Sequence, residues 1–181
     1  MECCMDEQRR ERVRERYNAR CGYCGVHETD TGATLTIDHH CPLAYGGTEN
    51  DENLVYCCPR CNQHKGAYWH EIHAPHIRLL HPLDDELTQH IFEQQDAQLL
   101  GKTPEGVFYI QRLHLNRPQL VAHRLQKREV QRRLDKINEL RENLRDLRQQ
   151  MALAYSIFQE TMDEIERETK TIEENEMIDS E

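Results

Sequence analysis

Two Cys-x2-Cys pairs, Cys21 with Cys24 and Cys58 with Cys61, bracket one segment of the chain and constrain its fold more than any other feature. Each x2 turn presents two thiolates to one point, and four such sulfurs suit a tetrahedral Zn2+ with Zn–S distances near ~2.3 Å. A clamp of that kind draws the enclosed residues into a compact hairpin. Between and just after the pairs lie Asp38, His39, Asn53 and Asn62. A carboxylate for a hard metal, an imidazole able to act as a base near neutral pH, and two amides form a set that can hydrolyse a phosphodiester.

Composition sets the surroundings of that unit. Hydrophobic residues make up 37% and charged residues 31% of 181 positions, which fits a modest core with a long polar helix better than one large globule. No apolar run approaches the ~18 residues that span a bilayer, and residues 1–16 are charged without an apolar signal segment. The expected location is the cytosol, with no membrane partner. In a reducing compartment, cysteines in x2 pairs read as metal ligands rather than disulfides. Cys3, Cys4, Cys41 and Cys57 stand outside the pairs and read as ordinary thiols.

The net charge of -10 argues against a nucleic-acid partner only until it is divided along the chain. Residues 151–181 hold ten acids and two bases, net -8, whereas the first 150 residues hold 23 acids and 21 bases, net -2. Acidity is therefore mostly a property of the tail. Basic residues collect at Arg9, Arg10, Arg12, Arg14, Arg16 and Arg20, and again from Arg124 to Arg148. Either group can meet phosphates. Glu11 and Glu15 share a helical face with the first group, so a solvated, internally paired face is the competing reading.

A helix is expected over residues 6–19, a strand over residues 34–37 ending at Asp38-His39, and a returning strand over residues 53–56. A helix over residues 61–70 begins inside the second cysteine pair. From residue 76 to residue 121 the pattern changes to short segments punctuated by Pro82, Gly101, Pro104, Gly106 and Pro118, in which residues 107–110 read equally as strand or helical turn. After Pro118 the sequence contains no proline or glycine. Leu140, Leu144, Leu147, Met151, Ala154, Phe158 and Ile165 follow alternating steps of three and four, interrupted at Thr161, as in a coiled-coil seam. An amphipathic helix folded back on its own domain is the alternative.

Cys21-Gly22-Tyr23-Cys24, Leu35-Thr36-Ile37-Asp38-His39-His40-Cys41-Pro42, Gly46-Gly47, Glu52-Asn53-Leu54 and Cys58-Pro59-Arg60-Cys61-Asn62-Gln63-His64-Lys65-Gly66 together resemble the HNH endonuclease family. The likeness covers about a quarter of the chain. A weaker likeness to the segment that follows this core in many bacterial HNH proteins runs through His81-Pro82, His90, Gly101-Lys102-Thr103, Gly106 and Leu115-Asn116-Arg117-Pro118, with no catalytic role attached.

The resemblance implies an α+β chain. Residues 1–75 would form a ββα-metal nuclease core with a structural zinc at Cys21, Cys24, Cys58 and Cys61, and residues 76–118 an accessory α/β segment. Residues 119–181 would form a long, acidic-ended amphipathic helix. It also implies that Asp38 and Asn62 hold the catalytic cation, that His39 activates water, and that Asn53 braces the loop and orients the His39 ring. Asparagine rather than histidine at position 62 makes this an HNN variant and favours Mg2+ or Mn2+. Lys65, His64, Arg16 and Arg20 are candidate phosphate contacts, although Lys65 at such a helix end also reads as a packing residue.

The function so implied is metal-dependent hydrolysis of DNA, as nicking or double-strand cleavage, directed by self-assembly or a partner protein through the C-terminal helix. A restriction or phage-defence setting would suit it. The rival is a non-catalytic zinc-knuckle module for nucleic-acid binding or assembly.

Overall fold

The computed structural model describes residues 6–73 and 77–178. Cys3 and Cys4 and the expected boundary between residues 75 and 76 lie outside the described residues. The chain divides into two units, Met1–Gln126 and Lys127–Glu181.

Helix α1 (Glu7–Arg16) opens the first unit, capped by the Asp6 side chain accepting from the Gln8 N–H. It is shorter than the sequence predicts because Asn18 and Ala19 take positive φ values of 51° and 53°, a left-handed turn that swings the chain into the first cysteine pair. A single turn, α2 (Glu28–Thr31), follows. Strand β1 (Thr36–His39) then pairs antiparallel with β2 (Leu54–Cys57), with Asp38 opposite Val55 and His39 opposite Leu54.

All four residues of β2 are buried, as expected for a strand covered on both faces. Helix α3 (Pro59–Lys65) starts with Cys58 as N-cap and Pro59 at its first position, where the missing proline N–H costs nothing. It ends at Gly66, whose φ is 54°, so it begins and stops earlier than the sequence pattern predicts. Together β1, β2 and α3 form a ββα unit. α4 (His70–His73) and α5 (Leu87–His90) are single turns, and β3 (Ile91–Glu93) pairs with β4 (Leu99–Gly101) in a second hairpin.

The ambiguous residues 107–110 lie within α6 (Pro104–Arg112), where Thr103 caps the Gly106 N–H. Tyr109 and Ile110 turn inward from it. With Val13, Tyr17, Tyr23, Leu35, Leu54, Val55, Tyr56, Leu80, Leu113, Leu115 and Leu120 they make one core. That core backs the ββα unit and holds β2 in place from both sides.

Helix α7 (Pro118–Ile178) is the longest element. From residue 130 to residue 170 every side chain is exposed. Val130, Ile137, Leu144, Met151, Phe158 and Ile165 recur at every seventh position, with Leu140, Leu147 and Ala154 between them, the spacing of a coiled-coil seam. Pairs such as Glu129 with Arg132 and Arg133, and Lys136 with Glu139, lace the polar surface.

Candidate functional site

The two cysteine pairs meet. In the first, the Cys21 N–H donates to Val26 O at 2.8 Å and the Gly25 N–H donates to Cys21 O at 2.7 Å, with Gly25 at φ 73° closing the turn. The Gly22 N–H donates to Tyr56 O at 2.8 Å and fixes this knuckle to β2. In the second pair the Cys61 N–H points at Cys58 Sγ, 3.4 Å away.

All four sulfurs lie within 4.8 Å of one another, and Cys24 and Cys58 Sγ are 3.8 Å apart. A tetrahedral zinc with ~2.3 Å bonds separates its sulfurs by about 3.8 Å, so the cluster fits such an ion. Burial holds the Cys21 thiol well above its ordinary pKa. Ionised together, four sulfurs so crowded would need a cation among them.

A cleft of about 390 Å3 opens on the other side of α3, lined by Ile37, Asp38, His39, Pro42, Leu43, Asn62, Lys65, Gly66 and Ala67. Pleating turns Asp38 inward, where it is 8% exposed. Its Oδ2 accepts the Tyr23 hydroxyl at 2.6 Å, and the Lys65 ammonium sits 3.1 Å from Oδ1 and 3.0 Å from Oδ2. Burial pushes the Asp38 carboxyl above the usual carboxylate range, while the Lys65 charge and the Tyr23 hydrogen bond pull it partly back. A carboxylate offers about four lone-pair positions, so these contacts leave room for a further ligand on the cleft side.

Lys65 is itself fully buried, and its ammonium also donates to His39 O at 2.8 Å. The helix-end lysine is thus a packing and pairing residue beneath the cleft. Its ammonium faces Asp38, not solvent.

Asn53 braces the loop between the strands. Its Oδ1 accepts the Cys41 N–H at 2.8 Å, and its Nδ2 donates to Cys41 O at 2.9 Å and Thr48 O at 2.8 Å. It does not orient the His39 ring through its amide. The group beside that ring is Glu49, whose Oε1 is 3.3 Å from His39 Nε2 without hydrogen-bond alignment, and Nε2 is buried. Gly47 permits the loop to close, since a Cβ there would meet Cys41 O at 1.9 Å.

The other candidate phosphate contacts lie elsewhere. Arg16 donates to Asp51 O at 2.7 Å and Arg20 to Gly25 O at 3.3 Å. Arg9 lies 3.6 Å from Glu49, and Arg12 lies 3.4 Å from Asp51, so much of the α1 basic cluster rests on the acidic loop beside His39. His64 stacks on His114 with ring centroids 4.3 Å apart and lines a separate concavity of about 650 Å3 with Pro59, Arg60 and Arg117. His40 is buried, its Nε2 3.3 Å from Leu80 O and its ring against Trp69 and His81.

The family model described as HNH endonuclease matches residues 21–67, from the first knuckle to the end of the cleft. These residues form an HNH domain. A stretch of 53 residues is 45% identical to CRISPR-associated endonuclease Cas9 of Corynebacterium diphtheriae, covering 29% of this chain and 5% of that protein. The chain therefore matches only a small part of that relative's length. No solved structure matches the chain.

Within the HNH domain the structure brings Asp38, His39 and Asn62 to one cleft, while Asn53 serves from beneath the adjoining loop. Tyr23, Glu49 and the Asp38 pairing of Lys65 were not readable as site features. Tyr23 looks like knuckle filling, and nothing in the linear sequence sets Glu49 against His39.

Proposed function

We propose that the HNH domain is a metal-dependent nuclease that hydrolyses DNA, with the cleft of Asp38, His39 and Asn62 as its active site. The observation that carries this reading is the convergence of a carboxylate, an imidazole and an amide on one open cleft above α3. The sparse oxygen set of Asp38 and Asn62 suits Mg2+ or Mn2+, which would stabilise the charge that builds on the scissile phosphate. His39 Nε2 is buried toward Glu49, so Nδ1 is the nitrogen left to take a proton from the attacking water. The resulting hydroxide displaces the sugar oxygen in line at phosphorus. Asn53 holds the loop that carries this geometry, and Lys65 with Tyr23 fixes the carboxylate.

The four cysteines hold a structural zinc in this reading, in the cytosol where they stay reduced. No described helix is long and apolar enough to cross a membrane. The exposed heptad stripe of α7 is the assembly surface, joining two copies or docking a partner protein that directs cleavage. The Cas9 match supports nuclease chemistry, and a restriction or phage-defence setting is the context that best suits a nuclease directed in this way.

One observation favours the rival scaffold reading. The Lys65 ammonium already lies against both Asp38 oxygens, a fixed positive charge that partly neutralises the carboxylate a divalent ion would use. Plasmid cleavage with Mg2+, Mn2+ or EDTA, comparing wild type with His39→Ala, separates the two. Metal-dependent nicking lost in the variant supports the nuclease, and no cleavage by wild type under any metal supports the scaffold.

A further inference from the structure

The segment Leu115-Asn116-Arg117-Pro118 resembles a recurrent sequence feature without an attached role, and the structure gives each residue a place. Leu115 enters the core. Asn116 pairs with the Leu99 backbone, accepting its N–H at 2.7 Å and donating to its carbonyl at 2.9 Å. Pro118 opens α7. Arg117 lies between the end of α6 and the cysteine cluster. Its Nη1 donates to Leu113 O at 3.1 Å and His114 O at 3.2 Å, and its Nη2 reaches Cys61 Sγ at 3.6 Å and Cys58 Sγ at 3.9 Å.

Four thiolates around one Zn2+ leave a net double negative charge in a largely buried place. A guanidinium at hydrogen-bond distance from two of the sulfurs removes half of it, and it cannot lose its proton to do so. Its N–H groups also draw electron density from those sulfurs, which makes them poorer nucleophiles and slower to pick up protons or oxidants. The two backbone carbonyls fix the fork, so the charge is held in place rather than waved from the surface.

We propose that Arg117 is a positioning residue of the four-cysteine metal centre, holding Cys58 and Cys61 as metal-bound thiolates and shielding them from chemical attack. The proposal rests on reading the cysteines as a zinc site. It also distinguishes the two knuckles, because Arg117 touches only the second.

The test uses the full zinc-loaded chain. Zinc release to a chromogenic chelator is followed for wild type, Arg117→Gln and Arg117→Lys. Initial iodoacetamide labelling of each cysteine is mapped by peptide mass spectrometry. Arg117→Gln should release zinc roughly 10- to 100-fold faster, the range expected when a partner of a metal ligand is lost. Labelling should accelerate first at Cys58 and Cys61. Arg117→Lys, which keeps the charge but not the fork, should fall between and keeps the test open if the glutamine variant does not fold. Unchanged release, or equal acceleration at all four cysteines, overturns the proposal, since loosening the end of α6 alone would affect the sulfurs alike. A wild-type chain that carries no zinc takes down the proposal and the zinc reading together, an outcome that elemental analysis identifies separately.

Discussion

The Lys65 ammonium lies 3.0 Å from Asp38 Oδ2 in a setting where Lys65 is fully buried and Asp38 nearly so. A buried pair of this kind is held by mutual need rather than by large net stabilisation, because each charge would be costly alone. Lys65→Met should therefore leave Asp38 stranded and destabilise the fold by about 3–5 kcal/mol. Urea unfolding of zinc-loaded protein measures this. The double variant Lys65→Met with Asp38→Asn should recover much of the loss, and a Lys65→Met protein as stable as wild type would show the pair to be unimportant.

His39 Nε2 has no hydrogen-bond partner among the described residues, and the side chain is partly exposed at the cleft, so its removal should spare the fold. His39→Ala is expected to lower plasmid cleavage by about 10²- to 10⁴-fold, the usual scale for a lost general base, with an unchanged melting curve. Cleavage at the wild-type rate would remove His39 from the mechanism.

The cysteine cluster carries a different expectation. Cys58 is both a member of the four-sulfur group and the N-cap of α3, so Cys58→Ser should abolish zinc content and unfold the ββα unit. If the cluster holds zinc as proposed, the metal supplies part of the folding free energy of this unit. Elemental analysis paired with circular dichroism reads both losses, and a folded zinc-free variant would show the cluster to be dispensable.

Acid should weaken the fold through His40. Burial, then the neighbouring His81, holds its pKa down at about 3 from an ordinary value of 6.5. Below pH 6.5 the unfolded chain takes up this proton while the folded protein does so only near pH 3. Stability is therefore full above pH 6.5 and falls as pH drops toward 3, by on the order of 4 kcal/mol for this group alone. His40→Gln should flatten that part of the curve. Melting temperatures of both proteins across the window decide it, and parallel curves would count against His40 as the source.

The α7 stripe makes a prediction about mass. If the stripe is an assembly surface, Leu144→Asp with Leu147→Asp should lower the molar mass measured by light scattering and leave the zinc content intact. A wild-type chain that is monomeric alone would exclude self-association and direct the search to a heterologous partner.

Much of the ββα unit is legible because its signals are local. The cysteine pairs announce two turns, the β-branched run announces β1, and the absence of proline and glycine after Pro118 announces α7. Boundaries are less so. α1 stops where Asn18 and Ala19 adopt left-handed backbone, and an alanine gives no warning of that. The β3–β4 hairpin escapes because its strands have three residues each, too few to show an alternating pattern. In the site, the residue types that carry chemistry are readable, whereas the contacts that tune them are not. Glu49 beside His39, and Arg117 beside the cysteine sulfurs, are products of tertiary approach.

Gly47 has no functional group, yet a methyl at its Cβ position would collide with the Cys41 carbonyl and crowd the Asn53 amide. The loop that Asn53 ties down is thus conditional on an empty space. It follows that a full set of signature side chains does not certify a working nuclease. If the cleft is catalytic as proposed, a descendant with one added methyl at position 47 would lose the loop while still spelling Asp38, His39, Asn53 and Asn62, and its missing hydrogen bonds would mark the loss.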